Sequence, residues 1–590
     1  MTEATSGMAL TTLLSKFKPD MNSHSTALLQ KLCLFILFNA LFLLPANSQP
    51  HNHDAHEGHS PVGWVPAEVF ERPVTRREGI GKIHEPVSTS SKQAQVFYDQ
   101  GLSYLQSYVW IEAARSFHQA LRSDPKLAMA YVGLSYAYSP MDFAAATQAL
   151  QKASSLASDL PARELHRIKI RDLQLKAMLN SSSPEAFTTF KQALDDALVE
   201  FPSDEQFLLL RGNAEEPNPF GNGQGCVVSA SPYYEKVVAS NPDNFAANHF
   251  LIHCYENSGR PEIAVKFARE YVRLAPAIPH AHHMYGHVLR RVGEMTAAID
   301  EFRAADALEA AYFKTNNFEP SIDWHYAHNL GLLASSYQYL GKMKEAEKYY
   351  RQAGSLRAHS DYDAFNRKDL CEFLLERSRY SEALVTARAL ANSQFALARV
   401  AGHSLAGIAL LGLNKSSEAA TELNLSEKEL SSLPPAVAAS ARLYVALLRA
   451  QILLMAHDSE AQPLLQRIAA RIRADNGPDA WIQGLYELER INRAARGLGD
   501  WETARQFAEL MEERAPQYPG SHYALALSAQ HDGNMQRAKT EFSFAAEGWS
   551  HADANLPELS DIRKAGISVK IAPSIPTKSD SGKSVAPSGL

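Results

Sequence analysis

Cysteine is scarce in this chain. Only 4 occur in 590 residues, and Cys33 lies in a segment expected to be removed. Cys226, Cys254 and Cys371 then remain, an odd number with no CxxC pair, so a disulfide framework is not expected in a protein with core enough to fold without one. Positive charge is not in excess either: 58 Lys and Arg face 65 Asp and Glu, a formal charge of -7. That balance gives no electrostatic footprint for nucleic acid or an anionic membrane, and no nucleic-acid partner is expected. Familiar catalytic signatures are also missing. There is no HExxH, no GxSxG and no Cys and His fixed together by local spacing, so no catalytic residue is assigned. GNGQG at 221–225 lacks the preceding strand and the Lys-Ser/Thr ending of a phosphate loop.

Long apolar runs are equally few. Near the N-terminus, Lys31 precedes a run from Leu32 to Leu44, followed by small residues around Ala46, Asn47 and Ser48. This is the pattern of a secretory signal, too short for a comfortable membrane span. Export follows, with Met21 as an alternative start, an uncleaved anchor as an alternative fate, and no transmembrane domain after cleavage. Next comes QPHNHDAHEGHSP, whose His51, His53, His56 and His59 cannot form a core but could wrap a divalent transition metal. Residues 61–92, rich in Pro and charge, are expected to be a flexible linker.

What is present in abundance is repetition. His249 and His253 recur 34 residues later as His283 and His287. In 94–127, Gly101, Tyr104, Ala113, Phe117, Ala120 and Pro125 supply a small residue at a helix crossing, an aromatic filler, small contacts and a helix stop. A 34-residue period with these residues is that of the tetratricopeptide repeat, a helix-turn-helix unit that stacks because one copy cannot bury its apolar face alone. The predicted fold is all-α, a right-handed α-solenoid of about nine or ten units. The expected organisation is leader and signal (1–48), His-rich flexible segment and linker (49–92), N-terminal repeats (93–210), a Gly/Pro/Asn-rich insertion (211–232), central His-rich repeats (233–360), C-terminal repeat-like helices (361–556) and a disordered tail (557–590).

Within the central units, His249 and His283 take position 5 of the first helix, His253 and His287 position 9, and Glu256 position 12. Spacings of four and three put them on one helical face, the face that lines the concave groove of such an array. First helices pack roughly 8–10 Å apart. Two His pairs can therefore lean toward one point, and His249, His253, Glu256, His283, His287 and His328 are the candidate metal ligands. The set suits Zn, Cu, Fe or Mn rather than Ca or Mg. His325 lies in the same third segment, while His282 falls on a packing position and is expected to be structural. His280, Arg290, Asn329 and Gln338, with Glu215 and Glu216 of the insertion, are candidate groove contacts. Groove recognition without metal, or packing alone, would use the same residues.

The phrases HFLIHCYENSGRPEIA, APAIPHAHHMYGHVLRRVGE, DWHYAHNLGLLA and RGNAEEP, with the opening KIHEPVSTSSKQAQVFYDQGLSYLQ, resemble a group of exported bacterial tetratricopeptide-repeat proteins. The resemblance covers roughly 80–355; it implies this fold and a periplasmic or secreted location, and adds no reaction. Three functions stay open: an exported scaffold taking a protein, peptide or ligand in its concave groove with a transition metal; a metal-dependent hydrolase or oxidoreductase using Glu256 or Glu216 as base; and an envelope metal-sequestering protein. An enzyme needs an open metal position in a closed pocket, and a scaffold needs a long accessible groove.

Overall fold

The structure is a computed structural model that describes residues 62–216, 224–475, 477–569 and 571. The expected signal, the histidines at 51, 53, 56 and 59, and the end of the tail lie outside the described residues. Apart from an isolated bridge between Val62 and Val65, the described residues form helices, turns and loops, as an all-α solenoid requires.

The N-terminal helices are α1 (Ala67–Glu71), α2 (Lys92–Leu105), α3 (Trp110–Ser123), α4 (Ala128–Tyr138), α5 (Phe143–Ser155), α6 (Ala162–Leu179), α7 (Pro184–Glu200) and α8 (Glu205–Asn213). Those of the centre are α9 (Ser231–Ser240), α10 (Phe245–Asn257), α11 (Pro261–Leu274), α12 (Pro279–Arg291), α13 (Met295–Asn316), α14 (Trp324–Tyr339) and α15 (Met343–Ser355). After them come α16 (Asp361–Asn366), α17 (Lys368–Glu376), α18 (Tyr380–Ala391), α19 (Ala396–Gly412), α20 (Ser416–Ser431), α21 (Pro435–Met455) and α22 (Ala461–Ala474). The last are α23 (Pro478–Gly497), α24 (Trp501–Arg514), α25 (Pro519–His531), α26 (Met535–Gly548) and α27 (Pro557–Lys564).

Local chemistry starts and stops these helices where the repeat needs it. The Asn244 side chain accepts from the Ala247 N–H to cap α10, and Pro279 opens α12 where a missing N–H costs nothing. Between α12 and α13, Gly293 takes φ +89°, a left-handed turn that side chains resist. Inside each pair, small residues and one aromatic make the contact: Ala298, Phe302 and Ala305 of α13 are fully buried, as are Ala113, Phe117 and Ala120 of α3. Val437–Met455 is long and apolar enough to cross a membrane, yet half of it is buried in the stack, where Leu447 and Leu448 are fully enclosed.

The stack does not leave its inner face open. Tyr486 of α23 donates to the Ser335 carbonyl of α14 at 2.7 Å, and Arg290 of α12 donates to the Pro478 carbonyl at 3.1 Å. On the other side, Tyr312 of α13 donates to Glu112 of α3 at 2.9 Å. The Asp553 N–H reaches the Gly341 carbonyl at 3.1 Å across 212 positions of chain spanned by 341 and 553. Helices far apart in sequence therefore meet across the interior.

Two expectations are corrected here. Residues 62–92 are not a flexible linker but a strap: Val62, Val65, Phe70 and Ile80 are buried, the Trp64 indole donates to the Ile322 carbonyl, and the Gly79 carbonyl accepts from Ala277. Their Pro and charge content misled because most of those residues do stay at the surface, Pro73, Arg76, Glu78, Lys82 and Pro86 among them, while the apolar residues between them and Glu85, held by Arg163 and Arg167, are buried. Likewise, 557–564 is not disordered tail but α27, whose Leu559 and Ile562 are fully buried.

Glu558 of α27 accepts from Arg377 and Arg493, each at 3.0 Å. Burial opposes its charge, but Arg493 and Arg377 outweigh that and hold its carboxyl at about 2. The folded value lies below the unfolded 4.5, so this stabilisation is present above about 4.5 and is lost as pH falls toward 2. Glu558→Gln is expected to lower the unfolding free energy by about 3 kcal/mol near neutral pH, because it leaves the largely buried Arg377 guanidinium without a carboxylate and Arg493 with Glu489 alone. Urea titrations across pH check this: the gap between the proteins must narrow in acid.

Candidate functional site

The histidines reach one place because three first helices present the same face at the same depth. On α10 they stand at 249 and 253, on α12 at 280, 283 and 287, and on α14 at 325 and 328, all at helical spacings of three or four. Two elements cover that face. The turn between α2 and α3 brings Tyr108, in a left-handed conformation at φ 58°, against His249, His280 and His253 at ring distances of 4.6, 5.1 and 5.8 Å. From the C-terminal half, the start of α23 brings Asp479 within 3.9 Å of His287 and 3.7 Å of His328. His249 is fully buried, and among 253, 280, 283, 287 and 325 the most exposed, His253, keeps 7%. The open histidine groove expected from sequence is therefore closed along this stretch, because repeat consensus describes neighbours in the stack and not helices that return from elsewhere.

Inside, ring nitrogens converge. His249 Nε2 lies 3.1 Å from both His253 Nε2 and His280 Nε2, and His287 Nε2 lies 3.1 Å from His283 Nε2. Three triads could hold a metal ion, each with its ligand nitrogens within 4.8 Å of one another: His249, His253 and His280; His280, His283 and His325; His283, His287 and His328.

The outer nitrogens show which way the lone pairs point. His249 Nδ1 donates to the Gln106 carbonyl at 2.8 Å, which can only accept. Asn329 donates through Nδ2 to the Phe302 carbonyl, so its Oδ1 accepts from His283 Nδ1 at 3.0 Å. Both rings consequently carry the proton on Nδ1 and turn a bare Nε2 inward, the arrangement that acceptors impose on metal-binding histidines. His325 Nδ1 meets the carboxyl of Glu309, which burial raises well above the usual range, so this partner can donate as well as accept. Burial, with neighbouring imidazoles adding to it, pushes His280 and His283 well below their ordinary value. Burial likewise lowers His253 and His325 to about 4. The rings are neutral and keep their lone pairs at neutral pH.

Carboxylates complete the surroundings. Glu256 is fully buried, 3.4 Å from His287 Nδ1, with both oxygens lacking a hydrogen-bond partner, and burial pushes its carboxyl up to about 7. For Asp479, the cost of enclosure is outweighed by its neighbours, among which the Arg290 guanidinium carries the charge beside neutral rings, and its carboxyl lies below the usual range. His328 and Asp479 keep 22% and 44% side-chain exposure because they face a cavity of about 460 Å³. That cavity runs from the histidines past Asp479 to Asp369, Glu372 and Glu376, with Asp363 and Arg367 also in its lining.

Of the remaining candidates, His280 joins two triads rather than merely lining a groove, and Asn329 orients His283. Arg290 and Gln338 are buried, Arg290 on the Pro478 carbonyl and Gln338 between Glu376 and Tyr350. Glu215 pairs with Arg211 and Lys191, and Glu216 accepts from the Gly225 N–H; neither lines the histidine cavity. His282 proves structural: it bonds Glu301 and the Pro276 carbonyl, a pattern that His522 repeats with Glu541 and the Pro516 carbonyl. The insertion ends at the cavity, where Gln224 lines the wall, and a Cys226–Cys254 disulfide ties it to α10, correcting the expectation of a chain without a staple. Asp479 was beyond the reach of repeat logic, since it arrives from a different part of the stack. His325 carried a signal, three positions before His328.

Diethyl pyrocarbonate labelling with peptide mapping checks the enclosure. Exposed His457 and His531 are expected to react in the native protein while the residues at 249, 280, 283 and 287 react only after unfolding.

A family model for the tetratricopeptide repeat matches residues 327–359, which take in most of α14 and all of α15. No curated protein matches the chain. Similar solved structures include a tetratricopeptide repeat protein from Parabacteroides merdae, at 12% identity, covering 47% of this chain and 99% of that one with a TM-score of 0.31. Another is the Cut9–Hcn1 hetero-tetramer of the APC/C, at 14% identity, 81% and 78% coverage and a TM-score of 0.33. Yeast Tom70 is similar at 13% identity, 80% and 95% coverage and a TM-score of 0.29. Likeness at these values brings no ligand, partner or activity to this chain. What the family match and the helices together establish is an all-α repeat protein with a tetratricopeptide repeat at 327–359.

Proposed function

We propose that this chain is an exported repeat protein that holds two transition-metal ions inside its solenoid, beside a cavity sized for a small molecule. The observation that carries this is the inward convergence of imidazole Nε2 atoms at 3.1 Å while acceptors hold the Nδ1 side of His249 and His283. One lone pair on His249 cannot make good hydrogen bonds to two ring nitrogens at once, whereas a cation among them satisfies all three. The triads at 249, 253 and 280 and at 283, 287 and 328 share no residue, so both can be filled together; the middle triad borrows from each. Nitrogen donors with one carboxylate, Asp479, favour Zn, Cu or Fe over Ca or Mg, with Mn at the oxygen-preferring end.

A peptide lying along an open histidine groove is less well supported, because the rings are buried. Repeats of this kind generally mediate protein interactions, and a protein partner would use other surfaces of the stack. A second reading, a metal-dependent hydrolase or oxidoreductase, is favoured by the position of Asp479 and His328 at the cavity wall, where a ligand could reach an open coordination position. Glu256, with its carboxyl raised to about 7, would be suited to proton transfer there. Export rests on the N-terminal sequence, with sequestration by the His51–His59 tail as a separate, additive role.

Elemental mass spectrometry on the untagged mature protein, with the four tail histidines changed to serine, tests the reading. About two equivalents of metal are expected. His253→Ala and His287→Ala should each remove one and the double variant both. A single equivalent would dismiss the pair, and none after incubation with Zn, Cu, Fe and Mn would dismiss the centre. Asn329→Leu, which frees the His283 ring without removing a ligand, should weaken the affinity of that triad roughly 10–100-fold in chelator competition.

A further inference from the structure

A second cavity, of about 240 Å³, lies among α2, α4, α6 and α8, and its walls are largely apolar: Leu102, Leu105, Tyr136, Met178 and Leu210 contribute. One polar group in this lining stands out. Arg171 of α6 is 1% exposed, and every partner it has is neutral. Its Nε donates to Ser135 Oγ at 3.0 Å, its Nη1 to Gln174 at 2.7 Å, and its Nη2 to the Ser135 carbonyl at 2.7 Å and to Ser139. The Tyr136 ring lies under the guanidinium at 4.0 Å. No carboxylate among the described residues forms an ion pair with it. Arg167, one turn earlier on the same cavity wall, shows the ordinary solution, being paired with Glu85.

A guanidinium removed from water keeps its charge, and hydrogen bonds to hydroxyls and carbonyls do not neutralise it. Buried charges are normally matched by a counterion, and here the space beside the charge is a cavity. The same cavity wall holds the Tyr136 hydroxyl, buried without a hydrogen-bond partner. A donor with no acceptor and a cation with no anion thus line one apolar chamber.

We propose that this chamber is a binding site for a small organic monoanion, a carboxylate with an apolar body. The carboxylate would face Arg171 and accept from the Tyr136 hydroxyl, while its hydrocarbon part packs on Leu102, Met178 and Leu210. One uncompensated positive charge matches one negative charge; a dianionic phosphate would bury an excess. The inference is independent of the metal reading, since it uses no histidine. The two sites share a wall, because Gln106 lines the chamber and its carbonyl holds His249.

Calorimetric titration of the full mature protein with benzoate and hexanoate, against benzamide and hexanamide, tests this. At least one carboxylate is expected to bind with a Kd at or below about 1 mM, and its amide at least about tenfold more weakly. Arg171→Gln should abolish that preference. Met178→Trp, which fills the chamber and leaves Arg171 in place, should block binding, and it decides the matter if Arg171→Gln does not fold. Equal binding of acid and amide, no binding of either at about 10 mM, competition by chloride as strong as by carboxylate, or unchanged binding in Met178→Trp would each overturn the proposal.

Discussion

Seven imidazoles in a repeat protein become a site only because the stack encloses them. An α-helical repeat array ordinarily turns this helical face to water, where polar side chains cost nothing and mean little. Here the α2–α3 turn presses Tyr108 onto the rings from one side, and α23 delivers Asp479 from the other. Enclosure changes the chemistry: the rings are forced neutral, their hydrogen bonds have to be satisfied internally, and the nitrogens that remain point at one another. Without that closure the same sequence would present solvated histidines with ordinary pKa values.

The closure is distributed over the chain. Glu558 joins Arg377 to Arg493, Asp553 joins the last helices to Gly341, and the strap at 62–92 fastens the first repeats to the centre through Trp64 and Gly79. Each is an interaction between segments far apart in sequence. The disulfide between Cys226 and Cys254 adds a local tie, holding the end of the insertion to the helix that carries His249 and His253. Rigid support of this kind is what a ligand set needs, because ring positions within a few tenths of an ångström decide whether nitrogens share an ion.

How far the sequence reached depended on the range of the interaction. The helices and their pairing were legible because Gly101, Ala113, Phe117 and their counterparts act within one repeat or on the next, as Phe117 does on Gly101 and Gly133. The histidine face was legible for the same reason, as a 34-residue repetition of one helical surface. Its burial was not, since nothing near His249 in sequence announces that Gln106 and Tyr108 will cover it. Asp479 could not be found from any spacing rule, and the ordered strap looked like linker because most of its Pro and charged residues do face solvent, while scattered apolar residues such as Val65, Phe70 and Ile80 and the single acid Glu85 do the anchoring. Glu215 and Glu216 drew attention by lying in an unusual insertion, yet they serve pairs and a turn.

X-ray absorption at the metal edge of the protein as isolated tests the central claim most directly, because it sees the ligands rather than the stoichiometry. Burial of converging imidazoles predicts a first shell at about 2.0–2.1 Å dominated by nitrogen, with multiple scattering from at least three rings per ion. A shell of water and carboxylate oxygens without imidazole scattering would contradict the account, and would leave the enclosed histidines as a packing feature.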